Sequence, residues 1–431
     1  MLSSRRRIPW PSQISRVSLG IQPPGLLEGR SFRLLWLGES ISTLGSQFSI
    51  VALAIVALHL GGGLSLGAIL VAAALPRAAF MVVGGWLSDR ASPRRIMLVA
   101  NVLRAILAGL LAIVVASGSA QLPALALLGF LFGTVDAFFL PAVNALVPLL
   151  VDGGRLGAAN AWLQGTAQVA ALMGPALAGG LVSTAGAGPA FAIDSASFVL
   201  AALALRAIPA QAIRAPFDRK DGRGGLLEGL RYVRRDAPVA IIIVLATVFF
   251  FAISGPLAVG VPWLGERLFG GASAVGVMLA GWSGGALLGA VLASKLDGVE
   301  RPGRLILSLG TGVGLSVASV SLAGDLAWAT VALALMGVGS GILNVFVLSL
   351  IQRRVELTVR GRVVSLLVLG TVALAPLSYA LSAVVVEATG PFLFTLAGAL
   401  IVAVSGVGIA LGAHEVIDRP PPPGAGVAEL G

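Results

Sequence analysis

Long apolar runs alternate with short polar turns along almost the whole chain. A helix of about 20 residues crosses the ~30 Å hydrocarbon core of a membrane, because each residue advances it by about 1.5 Å. Twelve runs are about that long or longer and cover residues 33–58, 65–88, 96–117, 122–149, 157–183, 189–207, 239–263, 273–294, 304–323, 327–351, 363–387 and 391–412. The pattern therefore predicts an all-α integral membrane protein with 12 transmembrane helices.

A charged segment divides the twelve predicted spans into six and six. The predicted organisation is a disordered N-terminus at 1–30, a six-helix half at 31–207, a linker at 208–238, a second six-helix half at 239–412 and a disordered tail at 413–431. Apolar runs that end in short basic turns recur at similar offsets in the two halves. Such an internal repeat is typical of pseudo-symmetric transporters with a site at the interface of the halves.

Composition supports lipid as the main solvent of the chain. Hydrophobic residues make up 57% and charged residues 11%, and the mean hydropathy is +0.98. The 57 glycines suit helices that pack closely in a membrane. There is no cysteine and there are only two histidines, so disulfides and histidine metal clusters are excluded. We expect no metal and no cofactor.

The positive charges predict the orientation. Of the 29 lysines and arginines, 26 fall in the two ends of the chain and in every second loop, and only Arg267 lies in a loop on the other side. Cytoplasmic loops carry such an excess, so both termini are predicted to be cytoplasmic in a multi-pass cell-membrane protein. The net charge of +10 then reflects the cytoplasmic face rather than binding to nucleic acid.

The stretch "GGWLSDRASPRR" (84–95) forms the loop between predicted spans 2 and 3. A negative charge such as that of Asp89 is favoured near a helix N-terminus, where the macrodipole is positive. Arginines can make charge-assisted bonds to facing carbonyls or acids. The positive-inside rule alone would explain the arginines, but it does not explain the aspartate.

Three further stretches are distinctive. They are "GPALAGG" (174–180), "LLEGLRYVRRDAP" (226–238) and "RGRVVSL" (360–366). The first has a simple explanation as small residues for close packing together with a proline kink.

With these stretches the chain resembles the major facilitator superfamily, and within it the macrolide- and siderophore-type exporters. The resemblance covers roughly 31–412. It implies the major facilitator fold, alternating access, a monomer, and protons and small amphiphilic molecules as partners. It also implies a cytoplasmic gate and an antiporter-like signature. The gate residues are Gly85, Asp89, Arg90, Arg94, Arg95, Arg360 and Arg362, and the signature residues are Gly174, Pro175, Gly179 and Gly180.

Five ionisable residues lie inside the predicted spans of the first half, and the central parts of the later spans contain none. They are Glu39, Arg77, Arg104, Asp136 and Asp194. Buried charges in a membrane are costly and mark functional sites. We expect Arg77 and Arg104 to be buried partners of two acids, which leaves one acid free to bind and release a proton. The candidates are Asp136 and Glu39, with Asp194 weaker, and a static ion-pair network is the alternative.

The substrate cavity is indicated only weakly. Phe138, Phe249, Phe250, Ser254 and Asn344 could form an apolar pocket with few polar anchors. Aromatic residues in membrane helices are more often packing residues.

The prediction is thus a proton-coupled exporter of amphiphilic small molecules and not an enzyme. The alternatives are a siderophore or nutrient transporter of the same fold, and a membrane sensor that transports nothing. An ATP-driven pump is disfavoured because the chain has no Gly-Lys-Ser/Thr phosphate loop.

Overall fold

Helices account for nearly all of the described chain. The computed structural model of the protein describes residues 29–209, 226–296, 299 and 301–419, and within them no strand forms. The helices are α1 (Arg30–Arg90), α2 (Pro93–Ala116), α3 (Leu122–Leu150), α4 (Leu156–Ala185), α5 (Ala187–Arg206), α6 (Leu226–Arg235), α7 (Ala237–Gly255), α8 (Val261–Leu268), α9 (Ala272–Ala293), α10 (Pro302–Ser319), α11 (Leu326–Arg354), α12 (Leu357–Thr389), α13 (Phe392–Ala410) and α14 (Ala413–Ile417). A π-helical turn, Pro256–Gly260, joins α7 to α8.

Eleven helical segments of the described chain are long and apolar enough to cross a membrane. The first, Arg30–Met81, has 52 residues, which is about 78 Å of helix and more than twice the ~30 Å hydrocarbon core. Its backbone is non-helical at Gly61 and Gly62, and Gly62 has a φ of 67°. The break divides α1 into two arms, 30–60 and 63–90, which correspond to the first two of the twelve predicted spans.

The outer surface of the bundle is apolar. No span has more than 61% of its most apolar window buried, and large side chains such as Ile113, Leu203 and Leu315 are more than half exposed. An apolar surface of that extent is stable in lipid and not in water. The protein is therefore a multi-pass membrane protein.

Each half contains one pair of helices in very close contact. A Cβ added to Gly133 on α3 would lie 1.9 Å from the carbonyl oxygen of Ala73 on α1. In the second half, a Cβ on Gly285 of α9 would lie 2.0 Å from the carbonyl oxygen of Ala334 on α11. Only glycine permits this approach, and the equivalent pairing in both halves matches the predicted repeat.

The segments outside the spans are more ordered than expected where they are described. The second part of the predicted linker forms α6, whose Gly229 packs against the backbone of Arg362. The predicted disordered tail begins with α14, and Asp418 accepts a hydrogen bond of 2.6 Å from the backbone N–H of Gly303. The predictions for 1–28, 210–225 and 420–431 lie outside the described residues.

Candidate functional site

A cavity of about 940 Å³ lies between the two halves. The first half contributes residues of α1 and α4, and the second contributes residues of α7 to α12. Of the predicted cavity residues, Phe249, Phe250, Ser254 and Asn344 line it. The prediction that Phe138 lines the cavity is wrong. Phe138 lies instead where the second arm of α1 contacts α3.

Polar groups in this mostly apolar cavity are hydroxyls and amides, which both donate and accept hydrogen bonds, together with the indole of Trp282, which only donates. The indole Nε1 of Trp282 and the hydroxyls of Ser254 and Ser340 are buried, line the cavity and have no hydrogen-bond partner among the described residues. Buried polar atoms are normally satisfied, but these three are themselves covered by protein and are not exposed to the cavity space in this conformation. Sequence patterns did not single out Trp282, whose indole resembles an ordinary packing residue in "AGWSGG".

The helices alternate in direction, so the turns at 89–95 and 353–362 lie at the same end of the bundle. We call this end the arginine-rich end and the other the opposite end. At the opposite end the halves meet in close backbone contact. A Cβ on Gly179 would lie 2.5 Å from the carbonyl oxygen of Ala272, and one on Gly276 would lie 2.3 Å from that of Pro175. These contacts close the cavity at the opposite end.

Polar contacts between the halves reinforce this closure. Glu387 on α12 accepts hydrogen bonds from the backbone N–H of Gly63 and, at 3.2 Å, from the indole of Trp263. His59 Nε2 lies 2.7 Å from Glu266 Oε1. Glycine is required at position 62, because a Cβ there would lie 2.2 Å from the carboxylate of Glu387. These contacts could not be predicted from the sequence, since charged residues at span ends are usually hydrated.

The antiporter-like signature lies next to this closure. Gly174 allows close approach of Gln47, which lines the cavity, and Pro175 also lines it. Gly179 makes the contact with the other half described above, whereas Gly180 faces open space. Three of the four residues therefore lie where the halves or the cavity walls meet.

At the arginine-rich end, the predicted gate residues of the first half bind within that half. The guanidinium of Arg90 lies 4.2 Å from the ring centroid of Trp86. Arg94 donates to the carbonyl oxygens of Leu205 and Arg206 at 3.0 and 2.9 Å, which satisfies the C-terminal carbonyls of α5. Arg95 is exposed, a Cβ on Gly85 would meet nothing within 4 Å, and the side chain of Asp89 lies outside the described residues.

The gate residues of the second half likewise bind within their own half. Arg360 donates to the carbonyl oxygen of Val355 at 3.2 Å, and Arg362 lies 2.5 Å from Glu228 on α6. These contacts do not cross between the halves. The gate between the two halves stays a prediction for a different conformational state.

One arginine holds the charged residues inside the first half together. Arg104 on α2 is 8% exposed and binds the carboxylate of Asp136 on α3. Its guanidinium also lies 3.7 Å from the ring centroid of Phe139. One expectation is corrected here, because Asp136 is the paired acid rather than an unpaired one.

The other two acids also face Arg104 but do not form an ion pair with it. Asp194 on α5 is fully buried and interacts electrostatically with Arg104. One of its oxygens accepts long hydrogen bonds from Ser46 and Ser197 at 3.4 and 3.5 Å, and the other has no partner among the described residues. Glu39 on α1 is partly exposed and is likewise within electrostatic range of Arg104. Three carboxyl groups thus lie within electrostatic range of one guanidinium, and Asp136 forms an ion pair with it.

Arg77 lies elsewhere. It was expected to be a buried partner of an acid, but it is exposed and forms no ion pair with the described residues. It lies within electrostatic range of Tyr379, a residue of the cavity lining on α12. The prediction of a buried Arg77 is therefore wrong.

A comparison with protein families identifies this architecture. A family model described as the Major Facilitator Superfamily matches residues 35–375. The chain belongs to this superfamily. Membership makes the protein a transporter of small molecules rather than an enzyme, as predicted.

Curated relatives within the Major Facilitator Superfamily include exporters. The enterobactin exporters EntS of Escherichia coli O1:K1 / APEC and of Shigella boydii serotype 18 (strain CDC 3083-94 / BS512) are each 27% identical to the chain over 288 residues. The match covers 66% of this chain and 67% of each relative.

Solved structures share the fold at low sequence identity. A bacterial homologue of the iron transporter ferroportin, in an inward-facing state, matches with a TM-score of 0.72, 19% identity and coverage of 88% of this chain and 98% of its own. A POT family transporter in complex with 5-aminolevulinic acid matches with a TM-score of 0.73, 14% identity and coverage of 90% and 97%. These matches support the major facilitator fold and do not specify a substrate.

Proposed function

We propose that the protein is a secondary active exporter that moves small amphiphilic molecules out of the cell in exchange for protons, by alternating access. The observation that carries the proposal is the charge imbalance inside the first half, where three carboxyl groups face one arginine. Arg104 can neutralise one of them, and Asp136 occupies that position. An isolated charge in a membrane interior is costly, so each of the remaining acids favours the neutral form that holds a proton.

Glu39 and Asp194 are suited to different steps of proton movement. Glu39 is partly exposed on the face of α1 that also carries the cavity residue Ile50, eleven residues or three turns away. Asp194 is sealed from solvent, and Ser46 on α1 contacts it. Loss of a proton from either acid creates a charge that Arg104 can share. Competition for Arg104 would therefore couple protonation to the packing of α1 against α2, α3 and α5.

The arginine-rich end is the cytoplasmic end in this proposal, because the positive-inside bias places it there. The halves are closed at the opposite end by the contacts of Gly179, Glu387 and His59. In the proposed orientation the structure is an inward-facing state, in which substrate enters the cavity from the cytoplasm.

The curated relatives favour a second candidate function. They are named enterobactin exporters, and the sequence analysis left siderophore transport open as an alternative. Enterobactin therefore belongs in any panel of test substrates.

The experiment uses proteoliposomes that carry the purified protein in their membrane and have an acidic interior. Uptake is measured for erythromycin, enterobactin, 4-(1-pyrenyl)butyrate and its neutral amide, with and without the pH gradient. We expect gradient-driven accumulation of at least one compound. In Glu39→Gln or Asp194→Asn protein, accumulation against a concentration gradient is lost while downhill equilibration persists.

The matched control is Glu415→Gln, because Glu415 is a highly exposed carboxylate on α14 with no proposed role. It should accumulate the compound like the parent protein. If no compound moves under any gradient, the transporter proposal fails for this panel. If both acid variants still accumulate the compound uphill, transport stands and the coupling residues are wrong.

A further inference from the structure

Arg77 belongs to the face of α1 that forms the cavity wall. Leu66 and Leu70 on the same arm line the cavity, and Arg77 follows them by eleven and seven residues. At about 100° per residue, these spacings place Arg77 between the two leucines around the helix axis. The lipid-facing side of this arm is different, since it carries the exposed residues Leu64 and Leu75. Arg77 is exposed and lies within electrostatic range of Tyr379, a cavity-lining residue of the other half, which places it at the edge of the space between the halves.

The position along the helix places this charge deep in the membrane. Arg77 lies thirteen residues from Arg90 at the arginine-rich end, which is about 20 Å of helix. A cation at that depth is costly unless it has a partner. Among the described residues it forms no ion pair, and the three interior acids lie around Arg104 instead.

The rest of the cavity wall offers no negative charge. No residue of the lining is an aspartate or a glutamate. Its unsatisfied polar atoms include the donors of Trp282, Ser254 and Ser340. The cavity therefore has a large apolar wall with a few polar residues. Arg77, which has no ion-pair partner among the described residues, lies beyond this lining on the arginine-rich side.

We infer that Arg77 is an anion-binding residue of the substrate site, and that the cavity selects amphiphiles with an apolar body and a carboxylate or phenolate group. The apolar body fits the phenylalanine-lined wall, and the guanidinium binds the anionic group by charge-assisted hydrogen bonds. This inference rests on the proposed function, because it names the substrate class of the same cavity.

The experiment measures equilibrium binding to purified protein in a neutral detergent. The probes are 4-(1-pyrenyl)butyrate and 4-(1-pyrenyl)butanamide, which have nearly the same shape and differ in charge. Energy transfer from tryptophan to pyrene reports binding, since Trp282 lines the cavity. The parent protein should bind the carboxylate about tenfold more tightly than the amide, as one charge-assisted hydrogen bond would allow.

The variants separate charge recognition from folding. Arg77→Gln should lose about tenfold in affinity for the carboxylate and bind the amide as the parent does. Arg77→Lys should restore most of the preference, because it keeps the charge. Arg33→Gln, which removes an exposed arginine at the start of α1, should leave both affinities unchanged.

Equal loss of affinity for both probes in Arg77→Gln would overturn the inference, because it would show a structural role. An unchanged preference for the carboxylate in that variant would overturn it as well. Failure of proton coupling gives a different result: binding selectivity is retained while uphill accumulation is absent from the proteoliposomes.

Discussion

Arg104 on α2 binds the carboxylate of Asp136 on α3 inside the first half, with the ring of Phe139 stacked against its guanidinium. The pair joins two helices that would otherwise meet through apolar and small residues. It also holds in place the guanidinium that lies within electrostatic range of Glu39 on α1 and Asp194 on α5. The packing of the first half and the proposed proton coupling therefore depend on the same arginine.

Removal of Arg104 should destabilise the protein more than removal of an unpaired acid. Arg104→Gln leaves a partly buried carboxylate without its partner, and we expect a loss of about 3 kcal/mol in the free energy of unfolding. Thermal unfolding of detergent-solubilised protein measures the change. Asp194→Asn should retain nearly the parent stability, because it removes a buried charge that has no ion-pair partner. Equal stability of Arg104→Gln and the parent would contradict a structural role for the pair.

Much of the fold followed from the sequence, because the membrane imposes simple rules. Apolar length predicted the spans, and the gap between 58 and 65 anticipated the break at Gly61 and Gly62. The amphipathic segment 226–235 is the exception, since charge and glycine content in the linker concealed a helix. Its stability comes from packing against the start of α12, a contact that is distant in sequence.

The sequence predicted which candidate residues lie inside membrane spans, but not which side of its helix each side chain occupies. Counting residues placed Arg77, Arg104 and Asp136 near the membrane centre, and Arg104 and Asp136 do meet. The same count cannot tell which side of a helix faces a cavity, a neighbour or lipid, so Arg77 was assigned to the wrong environment. Spacing from Leu66 and Leu70 becomes informative only after the cavity wall is known.

Two adjacent glycines in the loop motif should respond differently to the same substitution. A Cβ on Gly84 would lie 2.3 Å from the carbonyl oxygen of Ala137, a backbone atom that cannot move alone, whereas Gly85 faces open space. Gly84→Ala should therefore destabilise the protein by about 1–3 kcal/mol, as overpacking does. Gly85→Ala is the matched control and should unfold at the parent temperature. A lower melting temperature for Gly85→Ala than for Gly84→Ala would show that the second arm of α1 does not pack against α3 as described.

Glu387 should control how often the opposite end opens. It accepts hydrogen bonds from Gly63 in the first half and from Trp263 in its own half, so Glu387→Ala removes one of the polar links at the closed end. The chain has no cysteine, so a single Ile50→Cys substitution gives a clean reporter in the cavity wall. An impermeant sulfonated maleimide is added to intact cells, from the side where the proposed orientation places the opposite end.

Labelling of Ile50→Cys should be slow in the parent background and about tenfold faster with Glu387→Ala, because loss of a charged hydrogen-bond acceptor shifts the population toward the outward-open state. Thr389→Ala is the control on the same helix, since among the described residues the Thr389 hydroxyl bonds only to the carbonyl oxygen of Val385. Its labelling rate should match the parent rate. Fast labelling in the parent would contradict the proposed orientation, and an unchanged rate with Glu387→Ala would show that the other contacts hold the halves together at this end without Glu387.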